Sequence, residues 1–159
     1  MGVVGAGKTT IGMLLAQKLG WQFADADDFH SDANKIKIAH GIPLSDSDRA
    51  PWLAALRQSI EKWNAEGRNV VLACSALKEA YRKELDAGPV QFVYLKGDYD
   101  LISRRLRSRH GHFATESILK SQLADLEEPE EAMTVTVDKS SDEIVSEIIR
   151  KLKAVKGVS

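Results

Sequence analysis

Residues 2 to 10 read "GVVGAGKTT" and satisfy the spacing G-x-x-x-x-G-K-[ST]. Gly2, Gly5 and Gly7 let the backbone turn until successive amides face one point, and a helix starting just behind adds its partial positive charge. The product is a cradle for a nucleoside triphosphate. Within it Lys8 is expected to reach the β and γ phosphates and Thr9 to offer its hydroxyl to Mg²⁺, with Gly2, Gly5, Ala6, Gly7 and Thr10 completing the nucleotide contacts. A glycine-rich helix entry that happens to carry Lys-Thr is the plainer alternative, and the helical pattern that follows at once favours the cradle. The Asn-Lys at Asn34 continues as Ile-Lys and lacks the aspartate of a guanine reader, so a small kinase is preferred to a GTPase switch.

A kinase needs an acceptor side. "DADDFH" puts Asp25 and Asp27 two residues apart at a strand exit, which sends both carboxylates to one face. One can hold a water of the metal; the other can accept a hydrogen bond from an acceptor hydroxyl and take its proton. A solvated Asp-rich turn has the same composition. Arg49 can grip a carboxylate or the γ-phosphate in a bidentate fork, or pair as a loop arginine with Asp46 or Asp48. Ser75 follows a buried strand at a helix start, where it caps the helix or helps attract an anion. Lys78 and Arg82 lie on that helix and read equally well as solvated. Arg105 and Arg109 share a helical face ahead of "HGHF", whose glycine suits a hinge. An arginine delivered by closure would stabilise phosphoryl charge and exclude water, whereas Arg104 and Arg107 read as a solvent face.

Elements of two kinds must hold these groups. Helical periodicity runs through Thr9 to Leu19, Pro51 to Asn64, Tyr99 to Arg109 and Ser141 to Lys156; between them lie the strand-like runs "WQFADAD", "NVVLACSA", "VQFVYL" and "MTVTVD". Residues 28 to 50 read as a polar loop. Strands alternating with helices imply a mostly parallel sheet with ligands at its carboxyl ends. Only "MGVV" precedes the cradle, where a buried strand takes about 5–6 residues. The expectation is therefore a truncated first central strand in a chain shortened at its N-terminus, and a weak enzyme. The 159 residues, 43% hydrophobic and 28% charged, suit one domain. With 22 basic and 23 acidic side chains there is no whole-molecule field for nucleic acid or a membrane surface. One cysteine and four histidines leave no disulfide framework or zinc spacing. Neither a leader nor a membrane span is read, and a soluble cytoplasmic protein is expected.

"DADDFH", "NKIKIAHGIPLSDSDRAPWL", "CSALKEAYRKEL", "RLRSRHGHF" and "SQLADLEEP" occur in this order, and together they resemble the gluconate kinase (gluconokinase) family of P-loop sugar-acid kinases over nearly the whole chain. The resemblance implies an α/β P-loop NTPase fold: a mostly parallel sheet of about five strands flanked by helices, residues 1–159 as one domain, and a lid at about 105–122. It implies ATP and Mg²⁺, and phosphorylation of the terminal hydroxyl of D-gluconate to 6-phosphogluconate with release of ADP. Asp27 would be the carboxylate on the acceptor hydroxyl, working with Lys8, Arg49 and Arg109. Asp25 would join Thr9 on the metal side, Arg105 would contact the nucleotide, and His30, Ser75 and His112 would complete the substrate side together with Asp25, Asp27 and Arg49. "VDKSSDE" stands where related kinases wrap a loop around adenine. The partner implied is a small molecule, and a homodimer is compatible with the family. Val4 and Ala6 replace the usual cradle serines, Ser31 a proline and Ile38 a methionine. Two alternatives stay open: a kinase for another small acceptor, shikimate-like or a nucleotide, and an ATP-binding module without catalysis.

Overall fold

A computed structural model of the protein describes residues 1–110 and 113–156. Helix α1 (Lys8–Leu19) begins where Gly7 takes a left-handed conformation and ends at Gly20, also left-handed, whose N–H closes onto the carbonyls of Ala16 and Gln17. Strand β1 (Gln22–Asp25) follows, then a single 3₁₀ turn over Ala26–Phe29. Helix α2 (Asp32–Ala39) and helix α3 (Asp46–Ala65) both start on a serine cap; at α3, Ser45 and Asp48 form a reciprocal capping box. Strand β2 (Val70–Ala73), helix α4 (Glu79–Leu85), strand β3 (Val93–Lys96), helix α5 (Tyr99–His110), helix α6 (Phe113–Asp125) and strand β4 (Met133–Thr136) lead to helix α7 (Ser141–Val155), which opens on a second capping box, Ser140 with Glu143.

Two of these elements depart from the sequence reading. The segment read as a polar loop contains α2, and the stretch after α5 is itself a helix, α6. Among the described residues the expected sheet of about five strands is realised as four regular strands in two parallel pairs, β1 with β2 and β3 with β4. Met1 and Gly2 sit between the pairs. Leu95 N–H donates to the Met1 carbonyl at 2.9 Å, and Gly2 N–H donates to the Ser75 carbonyl at 3.2 Å. Two residues reach both neighbours but are too few for a ladder of their own.

Packing explains the rest of the layout. Ile11 and Leu15 of α1 meet Ile144, Val145 and Ile148 of α7 over Leu95 and Val135 of the sheet. On the other face Trp52, Leu56 and Ile60 of α3 pack with Tyr81 and Leu85 of α4. A third cluster, Val3, Leu77, Ile102, Leu106 and Leu119, lies behind the cradle. Among the described residues no helix is long and apolar enough to cross a membrane.

The Met1 backbone nitrogen donates to the Val93 carbonyl at 2.7 Å.

Candidate active site

The cradle hangs between Met1–Gly2 and α1, and its shape is fixed from behind. Gly5 has φ +80°, and a Cβ there would lie 2.7 Å from Leu106 Cγ; glycine is required on both counts. Val4 N–H donates to Gln122 Oε1 at 2.6 Å, so α6 also holds the loop. Lys8 Nζ folds over the loop to donate to the Val3 carbonyl at 2.9 Å. Burial lowers the Lys8 pKa, opposed by the nearby charges of Asp27 and Asp25, and an anion in the cradle would reverse that balance.

Thr9, Asp25 and Asp27 are joined in a line. Thr9 Oγ1 donates to Asp25 Oδ2 at 3.2 Å, and Asp25 Oδ1 accepts the Asp27 N–H at 3.0 Å. The two carboxylates therefore meet through a local turn: β1 ends at Asp25, and Asp27 belongs to the 3₁₀ turn that Asp25 caps. The strand alternation expected from the sequence is not what pairs them. Asp27 is exposed, yet burial against the surrounding protein and the adjacent Asp25 charge raise its carboxyl above the ordinary range. Thr9 and Asp25 supply hard oxygen donors suited to Mg²⁺ completed by phosphate oxygens and water. Among the described residues no cluster of three His, Cys, Asp or Glu side chains could hold a metal alone.

At the end of the same turn His30 is buried and stacked on Trp52, with ring centroids 4.4 Å apart and an interplanar angle of 10°. Trp52 is itself pinned by its Nε1–H to the Ala26 carbonyl at 2.7 Å. Burial lowers the His30 pKa and keeps the ring neutral. Asn34 Nδ2 lies 3.4 Å from His30 Nδ1 and donates to the Asp48 carbonyl at 2.8 Å. With Nδ1 accepting, the His30 proton sits on Nε2, free to be donated. Asn34 is 6% exposed, and only its place inside "NKIKIAHG" hinted at a site role.

Arg49 lies in the first turns of α3, not in a loop. Its Nη1 donates to Tyr81 Oη at 2.9 Å, its Nη2 is 3.9 Å from Asp125, and its guanidinium carbon is 5.5 Å from the centre of the Tyr81 ring. The pairing with Asp46 or Asp48 is absent. Asp48 is used by the Ser45 cap and by Lys37 at 3.0 Å, and Asp46 by Tyr81 Oη and Lys78. Tyr81, which orients Arg49, carried no signal in the sequence beyond a helical apolar position. Arg49→Lys should lower acceptor turnover by more than tenfold, because lysine keeps the charge but neither the fork nor the Tyr81 geometry (roughly 1.5–3 kcal/mol per charge-assisted bond). Steady-state kinetics with unchanged kcat and KM would return Arg49 to a structural ion pair.

Three further expectations are corrected or moved. Ser75 does not start a helix: α4 begins at Glu79 with Lys78 at the cap position, because the chain first turns through Ala76 at φ +45°. Arg82 is not solvated; it is 9% exposed and donates to the carbonyls of Ala76, Leu77 and Glu127 at 2.8, 3.0 and 2.7 Å. Arg105 Nη2 donates to the Val137 carbonyl at 2.5 Å, at the start of "VDKSSDE". Arg109 is exposed on the last turn of α5. His112 and the glycine read as a hinge, Gly111, lie outside the described residues.

A triphosphate cradle facing a carboxylate pair and a stacked imidazole, on parallel strands between helices, places the chain among the P-loop kinases of small molecules. The family described as shikimate kinase matches residues 4–153. The chain is 46% identical over 175 aligned positions to a probable gluconokinase of Mus musculus, with 96% of this chain and 95% of the relative covered. It is 43% identical to the gluconokinase of Gluconobacter oxydans, covering 97% and 89%. The crystal structure of a gluconokinase from Sinorhizobium meliloti 1021 superposes with a TM-score of 0.88 at 37% identity over 98% of this chain and 90% of that one. The chain belongs to the gluconokinase family.

Proposed function

We propose that this protein transfers the γ-phosphoryl group of ATP to the terminal hydroxyl of D-gluconate, giving 6-phosphogluconate and ADP. The line Thr9–Asp25–Asp27 carries the reading, because it connects the triphosphate side to the acceptor side through two hydrogen bonds of 3.2 and 3.0 Å. Similarity to gluconokinases over nearly the whole chain supports the choice of acceptor.

In this reading the cradle amides and Lys8 hold the phosphates while Asp27 accepts the acceptor O–H. As the hydroxyl oxygen bonds to phosphorus, the bond from phosphorus to the bridging oxygen of ADP breaks and Asp27 takes the proton. Its raised pKa makes it a better acceptor than an ordinary aspartate. His30 Nε2–H and Arg49 orient the sugar acid, Arg49 meeting its carboxylate, with Ser75 and His112 assigned to the same side. Mg²⁺, held by Thr9 and by Asp25 directly or through water, would neutralise phosphate charge. The lid is assigned to residues at about 105–122, with Arg105 on the nucleotide and Arg109 on the transferring group. We place the enzyme in the cytoplasm, acting on small molecules and not on nucleic acid.

An acceptor panel with ADP detection tests the assignment. D-Gluconate should support turnover at least about 10²-fold faster than shikimate, a nucleoside monophosphate or glucose, because a site built around paired polar groups rejects acceptors that leave them unmatched. Preference for another acceptor would keep the kinase and change its substrate. ATP binding without turnover on any acceptor would leave a binding module.

A further inference from the structure

Helix α6 reaches the phosphate cradle with one side chain and the acceptor side with another, within a single turn. Gln122 Oε1 accepts the Val4 N–H at 2.6 Å. The carbonyl of that same peptide unit belongs to Val3, and it accepts both Lys8 Nζ at 2.9 Å and the Ala6 N–H at 3.2 Å. One peptide group of the cradle is thus held at its N–H by α6 and carries the lysine of the motif on its oxygen. Three residues beyond Gln122, the Asp125 carboxylate lies 3.9 Å from Arg49 Nη2. The turn between them is fixed at both ends. Leu119, one turn earlier, is fully buried, and Leu123 and Leu126 pack with Val4 against the same cluster. At the exit of the turn the Glu127 N–H donates to the Leu77 carbonyl at 2.9 Å, and the Glu127 carbonyl accepts Arg82 Nη2 at 2.7 Å.

We propose that Gln122 is a positioning residue for phosphoryl transfer: it fixes the peptide unit from which Lys8 works, and with Asp125 it makes the last turn of α6 the spacer that sets Lys8 in register with Arg49. The role rests on the transfer reaction proposed above, in which Lys8 holds the phosphates and Arg49 the acceptor. The residue type fits the task. A backbone N–H inside the cradle needs an acceptor, and a carboxylate in that place would add negative charge beside the phosphates. A side-chain amide accepts the same bond with no net charge. Donation from the charged Lys8 to the Val3 carbonyl also polarises the peptide group, which strengthens its N–H bond to Gln122.

Two substitutions separate the hydrogen bond from the charge. Gln122→Met keeps the length of the side chain and loses the oxygen acceptor, so kcat should fall about 10–10²-fold with ATP affinity nearly unchanged. Gln122→Glu keeps the acceptor and adds a charge, so ATP affinity should fall at least about fivefold while kcat at saturating ATP stays within about threefold of wild type. Hydrogen exchange at the Val4 amide, read without any acceptor, should be at least about tenfold faster in the methionine variant than in the glutamate variant or the wild type. Asp125→Asn should lower kcat several-fold, and the double variant with Gln122→Met should lose less than the product of the two single losses. The same kinetic pattern in both Gln122 variants, Val4 exchange unaltered by Gln122→Met, or strictly multiplicative losses in the double variant would each overturn the inference. A wild-type protein that turns over no acceptor would refute the transfer reaction instead, and Val4 exchange together with the affinities of the two Gln122 variants for a non-hydrolysable ATP analogue would then decide the positioning role.

Discussion

Asp27→Asn should cut gluconate-dependent ADP formation by ~10²–10⁴-fold, the usual contribution of a positioned base, while ATP affinity changes only a few-fold. The substitution is nearly isosteric. It leaves the backbone N–H that Asp25 accepts, so the 3₁₀ turn and the contact from Asp25 to Thr9 remain in place. What is lost is the proton acceptor, and with it one of the charges that draws the Lys8 pKa upward. A coupled assay for ADP and a binding titration with a non-hydrolysable ATP analogue separate the two quantities. Wild-type turnover would place the base elsewhere, and a parallel collapse of ATP binding would make Asp27 part of the nucleotide site.

Arg82→Ala should destabilise the fold by ~3–5 kcal/mol, as expected when three charge-assisted hydrogen bonds are lost together and buried carbonyls are left without a donor. One guanidinium closes onto three carbonyls, those of Ala76, Leu77 and Glu127. Without it the left-handed turn at Ala76 and the segment after α6 lose their common tie, and both adjoin the crevice through Ser75 and Asp125. At this chain length the loss corresponds to a fall in melting temperature of roughly 2–4 °C per kcal/mol. A melting temperature within a few degrees of wild type would show that water replaces the guanidinium at those carbonyls.

The sequence announced the cradle, the strands and the amphipathic helices because each is a local pattern: glycine spacing, apolar runs, a 3.6-residue period. Helix α2 escaped because "DANKIKIA" leaves Ile36 and Ile38 exposed at 60% and 45% and buries Asn34 instead, the reverse of the usual amphipathic rule. The start of α4 was misplaced because a non-glycine residue, Ala76, takes the positive φ and a lysine stands at the cap. Arg82 and Tyr81 owe their roles to carbonyls and an arginine brought from distant parts of the chain. No neighbouring residue signals such a partner. Asp25 and Asp27 lie together through a turn and not through the pleat of a strand.

The packing of α5 against the cradle also sets how far its arginines can travel. Ile102 and Leu106 are fully buried against the loop, which makes them a fulcrum, and Arg109 stands only three residues beyond Leu106. At 1.5 Å per residue the free arm is about 4.5 Å, so tilting the helix by 10° would move the Arg109 backbone by less than about 1 Å. Its reach must come from the side chain itself, a swing of several ångströms on a nearly stationary post. If the lid proposed above closes over a triphosphate, closure at Arg109 would be a rotameric event, fast on the timescale of domain motions, with helix α5 as its mount.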